Sequence, residues 1–433
     1  MLKQVEGSAA VAEAIALCRP QVICAYPISP QTHIVEGLGR RVDAGELAPC
    51  EFINVESEFA AMSVAIGASA TGARAYTATA SQGLLFMAEA VYNAAGLGLP
   101  IVMTVANRAI GAPINIWNDH TDALSQRDCG WLQLFAEDNQ EALDLHIQAF
   151  RLAEELSLPV MVCMDGFILT HAYERVDMPT QAQVDSYLPP YEPRQVLDPA
   201  DPVSIGAMVG PEAFMEVRYL AHAKQQQALE LIPAWADEFR RVFGRPSGGL
   251  VHEYRTSDAE VIVVALGSVL GTIKDTVDTM RDEGLRIGVL GITCFRPWPA
   301  VAVRDALKGA KRVVVLEKSL AVGMGGLVGN NVSASFSGSP DHVHTVIAGL
   351  GGRSITRGSL RRVFEQALAG CGPIVRRQEK EAVRVAIDGR LVAERPGGNR
   401  IIGRVEAVQR RNAPKTAITI GQGGQVAFGR HAA

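Results

Sequence analysis

Three segments of the chain combine acidic, basic and hydroxyl side chains in patterns that could do chemistry. The first, AYPISPQT, occupies residues 25–32, where Ser29 precedes Pro30. Serine is a favoured N-cap and proline a favoured first helical residue, so the pair predicts that a helix begins here. A helix N-terminus with free N–H groups is also a ready site for a carboxylate. Both interpretations of Ser29 stay open from the residues alone.

The second segment, VESEFAAM, places Glu56 and Glu58 at the mouth of a predicted helix. A glutamate beside Ser57 can have a purely structural role, as a charge partner of the helix dipole. It can also be a carboxyl group in an apolar environment, protonated near neutral pH and able to exchange a proton with a cofactor ring. Small residues follow it and would let a flat partner approach closely: Ala60, Ala61, Gly67, Ala68 and Ala70.

The third segment, TVANRAIGAPINIWNDHTDALSQRD, follows a strand pattern and crowds polar residues among Gly, Pro and Trp. Loops of this kind at strand ends commonly carry function. Arg108, in the same layer as Ser29, would clamp a substrate carboxylate. The pocket candidates in this loop are Gly111, Asn115, Asp119 and His120. For Asp119 and His120 it is an equally open hypothesis that they tie down the loop by hydrogen bonds.

Two further motifs are predicted to be structural. GMGGLVG (323–329) lacks the acidic residue about twenty positions later that a dinucleotide site requires, so it predicts close packing between a strand and a helix. RPWP (296–299) predicts a rigid turn after a strand.

The elements that must position these residues follow a clear alternation. Residues 1–175 alternate short apolar runs with helical patterns, which predicts a doubly wound, mostly parallel sheet with helices on both faces. Ligands of such sheets bind outside the carboxyl ends of the strands, and AYPIS lies at one such end. A Pro-rich wrapping linker and a helix (176–250) then lead to a second, smaller α/β domain (251–370). Its four predicted strands are EVIVVAL, RIGVLGI, RVVVLEK and HVHTVIAGL.

The composition limits the classes of protein that this chain can belong to. A chain of 433 residues, 48% of them apolar, can form two or three domains, and its apolar runs are too short to span a membrane. Without an export signal, we expect a cytoplasmic protein. The seven cysteines are scattered without a CxxC pair, so no metal or iron–sulfur ligand set is predicted in this chain.

The charge is unevenly distributed along the chain. Residues 376–433 carry a net charge of +7 and the rest carries −12, which gives the overall −5. Phe428 is the only aromatic residue among the basic ones, so the tail (371–433) is predicted to dock a partner chain rather than nucleic acid.

Nine motifs, in one collinear order over about residues 5–370, resemble those of a known family. They are AYPISPQT, VESEFAAM, ATASQGL, NRAIGAPINIWNDHTD, MDGF, YRTSDAEVIVVALGS, FRPWP, LEKS and IAGLGGR. With them the chain resembles the alpha subunit of the 2-oxoacid:acceptor oxidoreductases, among them the multi-subunit pyruvate:ferredoxin oxidoreductases. The resemblance implies a thiamine-diphosphate-binding-type first domain and a second domain like the C-terminal domain of transketolase.

The resemblance also implies an activity, its cofactors and its partners. The complex would decarboxylate a 2-oxoacid oxidatively and pass the acyl group to coenzyme A. Thiamine diphosphate would be shared with a beta subunit, while magnesium and iron–sulfur clusters would lie in partner subunits. Gamma- and delta-type subunits, and a flavin or electron-transfer subunit, would complete the complex, with ferredoxin or NAD as the acceptor. Neither nucleic acid nor a membrane is expected as a partner.

Matching motif positions carry the site residues of the family over to this chain. Glu58 would be the carboxyl group that pairs with the aminopyrimidine ring nitrogen, and Ile28 would also contact the cofactor. Arg108 and Ser29 would bind the carboxylate and the carbonyl of the substrate. The family commonly has threonine at the position of Ser29 and serine at that of Gly111. Both changes remove volume, so we expect a pocket that admits an aryl or branched 2-oxoacid such as phenylglyoxylate.

Two other hypotheses compete with an enzyme subunit of this family. A nucleotide-dependent dehydrogenase is favoured only by the α/β pattern and GMGGLVG. A non-catalytic assembly subunit would keep the fold and use Glu58 structurally.

Overall fold

The computed structural model describes residues 1–336 and 343–369, together with the backbone of two strands, 384–387 and 390–393. Met1–Val392 form one compact unit. Apart from those two strands, the tail predicted at 371–433 lies outside the described residues. The predicted domain boundaries at residues 175, 250 and 370 stay predictions.

Strands and helices alternate over the first half of the chain, as the sequence pattern predicts. The strands are β1 (Leu2–Glu6), β2 (Val22–Ala25), β3 (Glu51–Asn54), β4 (Ala75–Thr79), β5 (Val102–Asn107), β6 (Leu132–Phe135), β7 (Val160–Asp165) and β8 (Tyr173–Asp177). The helices are α1 (Gly7–Leu17), α2 (Thr32–Asp43), α3 (Glu58–Ala70), α4 (Ser81–Phe86), α5 (Ala88–Gly96), α6 (Thr121–Ser125), α7 (Asn139–Leu156) and α8 (Gln181–Tyr187).

A long helix, α9 (Phe214–Phe243), precedes a second series of elements. Its strands are β9 (Val251–Tyr254), β10 (Val261–Ala265), β11 (Ile287–Ile292), β12 (Cys294–Arg296), β13 (Arg312–Glu317), β14 (Val343–Ile347), β15 (Arg384–Ile387) and β16 (Arg390–Ala393). Its helices are α10 (Val269–Asp282), α11 (Ala300–Leu307), α12 (Leu327–Ala334) and α13 (Arg357–Leu368), with a 3₁₀ turn at Leu350–Gly352.

The first seven-stranded sheet has the order β12-β6-β7-β5-β4-β2-β3, and β1 and β8 pair separately. All its strands run parallel except β12, which is antiparallel to β6. Every residue of β4, β5, β6 and β7 is buried, which explains why these strands appear in the sequence as continuous apolar runs. The predicted doubly wound parallel sheet is confirmed.

The second sheet has the order β16-β15-β14-β13-β10-β11-β9. It contains the four strands predicted from the sequence and also β9, β15 and β16, which were not predicted. In both sheets the strand order reverses, between β2 and β4 in the first and between β10 and β13 in the second. Such switch points leave a crevice at the carboxyl ends of the strands, where α/β proteins bind ligands.

The start of α2 differs from the sequence prediction. The helix begins at Thr32 with Gln31 at the N-cap, so the prediction that Ser29 is the N-cap was wrong. The reason is a tight turn at residues 28–31, in which the Gln31 N–H donates to the Ile28 carbonyl over 2.9 Å. Ser29 therefore lies one turn before the helix, with its side chain exposed.

The proline-rich linker lies against the first sheet layer. The Leu197 N–H donates to the Ala70 carbonyl (2.9 Å), and the Arg194 guanidinium donates to the Glu155 carbonyl. Helix α9 follows, and the Arg151 guanidinium of α7 lies 3.6 Å from the ring centroid of Trp235. Within the described residues, no helix is both long and apolar enough to cross a membrane.

Candidate functional site

Arg108 follows β5 at the carboxyl edge of the first sheet and is only 7% exposed. Its Nη1 donates to the Ser29 carbonyl (2.9 Å) and its Nε to the Asn115 carbonyl (3.4 Å). Burial lowers the pKa of Arg108, and the charge of Asp122 counters part of that effect. Because the described contacts of this guanidinium are carbonyl oxygens rather than carboxylates, its charge is suited to an anionic ligand.

Asp122 holds the backbone around this arginine, and sequence reasoning missed it. One carboxylate oxygen accepts from the N–H groups of Ser81 (3.0 Å) and Arg108 (2.9 Å), and the other from Asn107 Nδ2 (2.9 Å) and the Ala123 N–H (2.7 Å). Burial raises the pKa of Asp122 to about 6, although these hydrogen bonds favour the ionised form.

Glu58 is the first residue of α3 and is 8% exposed. Ser57 is the N-cap of this helix, since its hydroxyl accepts from the Ala60 N–H (3.2 Å). The Glu58 carboxyl lies against the first turn of α4, where a Cβ atom at Gly83 would be 2.7 Å from Glu58 Oε1 and 2.6 Å from Thr79 Oγ1. Only glycine at position 83 leaves room for this carboxyl group.

The first turn of α4 links Glu58 to the arginine side of the site. Ser81 has a φ of +49°, a conformation that side-chain-bearing residues rarely adopt and that is typical of functional sites. Its hydroxyl donates to the Ala109 carbonyl over 2.5 Å. Beside it, a Cβ atom at Gly111 would lie 2.5 Å from Gln82 Nε2. The predicted pocket residue Gly111 therefore packs against α4, next to the glycine that accommodates Glu58.

The remaining pocket candidates contact the second sheet layer. Asn115 Nδ2 donates to the Gly351 carbonyl (3.1 Å), and the Gly351 N–H donates to Asp119 Oδ2 (3.2 Å). The Gly352 N–H donates to the Asn118 carbonyl (2.9 Å). Residues 115–119 are therefore tied to the IAGLGGR motif. For Asp119, this contact agrees with the hypothesis that its side chain holds the loop in place by a hydrogen bond.

His120 is 1% exposed and forms part of a buried charged cluster. Its Nε2 lies 2.5 Å from Asp165 Oδ1, while Lys318 Nζ lies 2.9 Å from Asp165 Oδ2. The Ser268 hydroxyl and N–H also donate to Asp165. Burial alone would raise the pKa of Asp165, but Lys318 and His120 outweigh it and hold the pKa far below its usual value. The four residues of this cluster come from four of the motifs quoted above: NRAIGAPINIWNDHTD, MDGF, YRTSDAEVIVVALGS and LEKS.

The GMGGLVG turn binds an internal carboxylate. Glu317 accepts from the N–H groups of Leu327 (2.8 Å), Val328 (2.9 Å) and Gly329 (3.1 Å), at the start of α12. A Cβ atom at Gly326 would lie 2.0 Å from Glu317 Oε1. The prediction of close packing between strand and helix is confirmed, and the N–H groups that a phosphate would require are already used.

Comparisons with protein families identify the two halves of the chain. The thiamine diphosphate-binding model of pyruvate flavodoxin/ferredoxin oxidoreductase matches residues 13–235. Core domain II of pyruvate:ferredoxin oxidoreductase matches residues 259–360. Pyruvate synthase subunit PorA of Methanosarcina barkeri is 51% identical over 84% of this chain and 91% of its own. Ketoisovalerate oxidoreductase subunit VorA of Pyrococcus abyssi is 39% identical over 84% and 92%.

Solved structures agree on the fold. The 2-oxoglutarate:ferredoxin oxidoreductase of Magnetococcus marinus, solved with 2-oxoglutarate, coenzyme A and succinyl-CoA bound, matches with a TM-score of 0.67 at 18% identity. The match covers 84% of this chain and 65% of that one. A split-gene transketolase matches with a TM-score of 0.50. The chain belongs to the pyruvate flavodoxin/ferredoxin oxidoreductase family and contains that family's thiamine diphosphate-binding domain.

Proposed function

We propose that this chain is the alpha-type subunit of a 2-oxoacid:ferredoxin oxidoreductase that oxidatively decarboxylates pyruvate to acetyl-CoA and CO2. The observation that carries the proposal is the buried Glu58 carboxyl, placed against Gly83 at the same sheet edge as Arg108. The identity to pyruvate synthase subunits supports pyruvate as the main substrate.

The residues around Glu58 fit the aminopyrimidine end of thiamine diphosphate. No described residue donates a hydrogen bond to the Glu58 carboxyl, so it can pair with a ring nitrogen of the cofactor. Thr79 Oγ1 is buried beside it and has no hydrogen-bond partner among the described residues. Gly83 leaves the space between them free of side-chain atoms. When bound, thiamine diphosphate would supply a nucleophilic thiazolium carbon for the 2-oxo group and a cationic ring that can accept the electron pair released from the bond to CO2.

Glu58 holds and moves the proton at the pyrimidine ring nitrogen. A carboxyl group at the first residue of α3, within reach of that nitrogen, can act as the general acid and base for this proton.

Arg108 binds the substrate carboxylate. Its Nη1 and Nε donate to the Ser29 and Asn115 carbonyls, so within the described part of the chain Nη2 is the group that remains for an anion. Asp122 holds the Arg108 backbone and the start of α4 together. The distance between the Arg108 guanidinium and the Glu58 carboxyl, which lies against α4, is therefore kept constant. Ser29 lies beside this site and would bind the substrate carbonyl, and Ile28 in the same turn would contact the cofactor.

The proposal also assigns the parts that this chain would not supply. A beta-type subunit would bind the diphosphate and magnesium, and iron–sulfur clusters would lie in beta-, gamma- or delta-type subunits. Coenzyme A would accept the acyl group, and ferredoxin the electrons. The basic tail would dock a partner, such as a flavin or electron-transfer subunit. The complex would be located in the cytoplasm.

A bulkier substrate is the second candidate, and Ser29 and Gly111 favour it. The resemblance to the family implies less side-chain volume than usual at both positions, although a side chain at Gly111 would first meet Gln82 rather than empty space. Steady-state kinetics of the purified complex with pyruvate, 2-ketoisovalerate and phenylglyoxylate separate the two. A specificity constant for pyruvate well above the others would rule out the roomier pocket, and the reverse order would rule out pyruvate.

The test of the proposed function is activity of the assembled complex. We expect release of CO2 from pyruvate that depends on coenzyme A and is matched by reduction of ferredoxin. A complex that binds this chain but neither decarboxylates any of the three oxoacids nor reduces ferredoxin would contradict the proposal and favour an assembly role.

A further inference from the structure

Glu6, His33 and His171 bring three metal-binding side chains together outside the site described above. Glu6 ends β1, His33 lies in the first turn of α2, and His171 follows β7. One potential ligand atom from each lies within 4.8 Å of the other two. His33 Nδ1 is 2.6 Å from Glu6 Oε1, and the two imidazole rings lie 4.7 Å apart between centroids, tilted by 36°.

His171 is oriented as metal-binding histidines usually are. Its Nδ1 lies 2.7 Å from Thr170 Oγ1, and that hydroxyl is itself fixed by the Phe167 N–H (2.8 Å). An Nδ1–H that donates to Thr170 leaves Nε2 as a free acceptor for a ligand.

The cluster is reachable by an ion from solvent. The His33 side chain is 50% exposed and that of Glu6 is 19% exposed. A groove of about 550 Å³ between α1 and α2 opens beside them, lined by Glu6, His33, Glu36 and other residues. The half-exposed His33 ring has room to make the small shift that separates it from Glu6.

We propose that Glu6, His33 and His171 bind one divalent transition-metal ion, for which zinc is the representative. Two imidazoles and one carboxylate are ligands that zinc prefers, at about 2.0–2.2 Å, and a water molecule would complete the tetrahedron. The ligand atoms lie at most 4.8 Å apart. Rotation of the side chains can bring them to the spacing that a tetrahedral ion requires.

Such an ion would be structural and would stabilise the backbone next to the candidate site. It would tie the end of β1 and the loop after β7 to the first turn of α2, directly after the turn at residues 28–31. That turn carries the Ser29 carbonyl to which Arg108 donates. The contact between Pro30 and the loop after β7 is already close, because a Cβ atom at Gly166 would lie 2.6 Å from Pro30 Cγ. The inference does not depend on the proposed function.

Zinc titration of the full-length chain tests the proposal. The chain is stripped with a chelator, kept reduced, and titrated with zinc chloride in a calorimeter, and wild type is expected to bind one ion with a rise in melting temperature. His33→Ala and His171→Ala are each expected to weaken binding at least about tenfold and to abolish the rise. Circular dichroism shows whether each variant is folded, and the exposed position of His33 makes His33→Ala the safer of the two.

His222→Ala is the matched control, because it removes one exposed imidazole from α9. It is expected to bind zinc as wild type does. The proposal is overturned if the wild-type chain binds no zinc, or if folded His33→Ala and His171→Ala bind it as tightly as His222→Ala does. The latter result would place the zinc on other residues of the chain.

Discussion

Lys318 Nζ lies 2.9 Å from Asp165 Oδ2, and this buried ion pair joins the carboxyl edges of the two mostly parallel sheets. Asp165 ends β7 of the first sheet, and Lys318 follows β13 of the second. His120, which hydrogen-bonds the same carboxylate, also donates its N–H to the Lys318 carbonyl (2.9 Å). The second sheet thus fixes the loop that begins at Arg108.

Lys318→Met is expected to destabilise the protein by about 3–5 kcal/mol, because it leaves the Asp165 carboxylate buried without its main cation. Urea denaturation measures the free energy of unfolding. The double variant Lys318→Met/Asp165→Asn should recover part of the loss. Lys311→Met is the control, because its pair with Glu260 is largely exposed and should change stability by less than about 1 kcal/mol. Equal effects of the two lysine variants would contradict the role of the cluster.

Arg108→Gln is expected to raise the KM for the 2-oxoacid more than it lowers kcat. Loss of a charged hydrogen bond to the carboxylate costs about 1.5–3 kcal/mol, or roughly a 10- to 100-fold rise in KM. Arg127→Gln is the control, because the side chain of Arg127 contacts the Leu124 carbonyl and the Asp128 carboxylate, and this variant should leave KM unchanged. An unchanged KM in a folded Arg108→Gln complex would show that the substrate carboxylate binds elsewhere.

Asp122→Asn is expected to destabilise the protein by about 2 kcal/mol, because an amide nitrogen cannot accept from the N–H groups of Ser81 and Arg108. The folded-state pKa of Asp122, about 6, lies above its ordinary 3.8, so the folded state binds the proton more tightly. This contribution to stability is complete below about pH 4 and is lost as the pH rises through 6. Urea denaturation at several pH values should therefore show the cost of the variant shrinking towards pH 7, by at most about 3 kcal/mol. A cost of the variant that grows from acidic pH to pH 7 would contradict the raised pKa of Asp122.

Gly83→Ala is expected to abolish most of the activity without unfolding the protein, because the new methyl group would displace the Glu58 carboxyl. Gly67→Ala is the matched control on α3, the helix that begins with Glu58. A Cβ atom there meets nothing within 4 Å, so this variant should keep activity and gain up to about 1 kcal/mol of stability. Comparable activity in the two variants would mean that the space beside Glu58 is not used.

The sequence predicted β2, β3, β4, β5, β7, β10, β11, β13 and β14, because strands buried on both faces tend to be continuous apolar runs. It missed β6, a four-residue strand that contains Gln133. It did not predict β12, since three residues form too short a run, and that strand crosses from the second series of elements to the edge of the first sheet. Ser29 was assigned as an N-cap by local preference alone. The turn at residues 28–31, held by Arg108 from 79 residues away, decides the local structure instead.

The buried cluster at Asp165 could not be predicted from spacing. Asp165 and Lys318 are 153 residues apart and belong to different sheets, so no periodic pattern connects them. The motifs MDGF and LEKS marked both residues as part of a resemblance but gave them no role. Likewise, Asp122 acts through backbone N–H groups, which carry no residue-specific signal in the sequence.

The role of Glu58 is tested most directly by the rate of CO2 release from pyruvate in the assembled complex with Glu58→Gln. We predict a fall of about 10²- to 10⁴-fold, the contribution that a positioned acid–base group typically makes. Glu56→Gln, an exposed glutamate two residues earlier, should retain the wild-type rate. A Glu58→Gln complex that releases CO2 at the wild-type rate would contradict the assignment and leave Glu58 with a structural role.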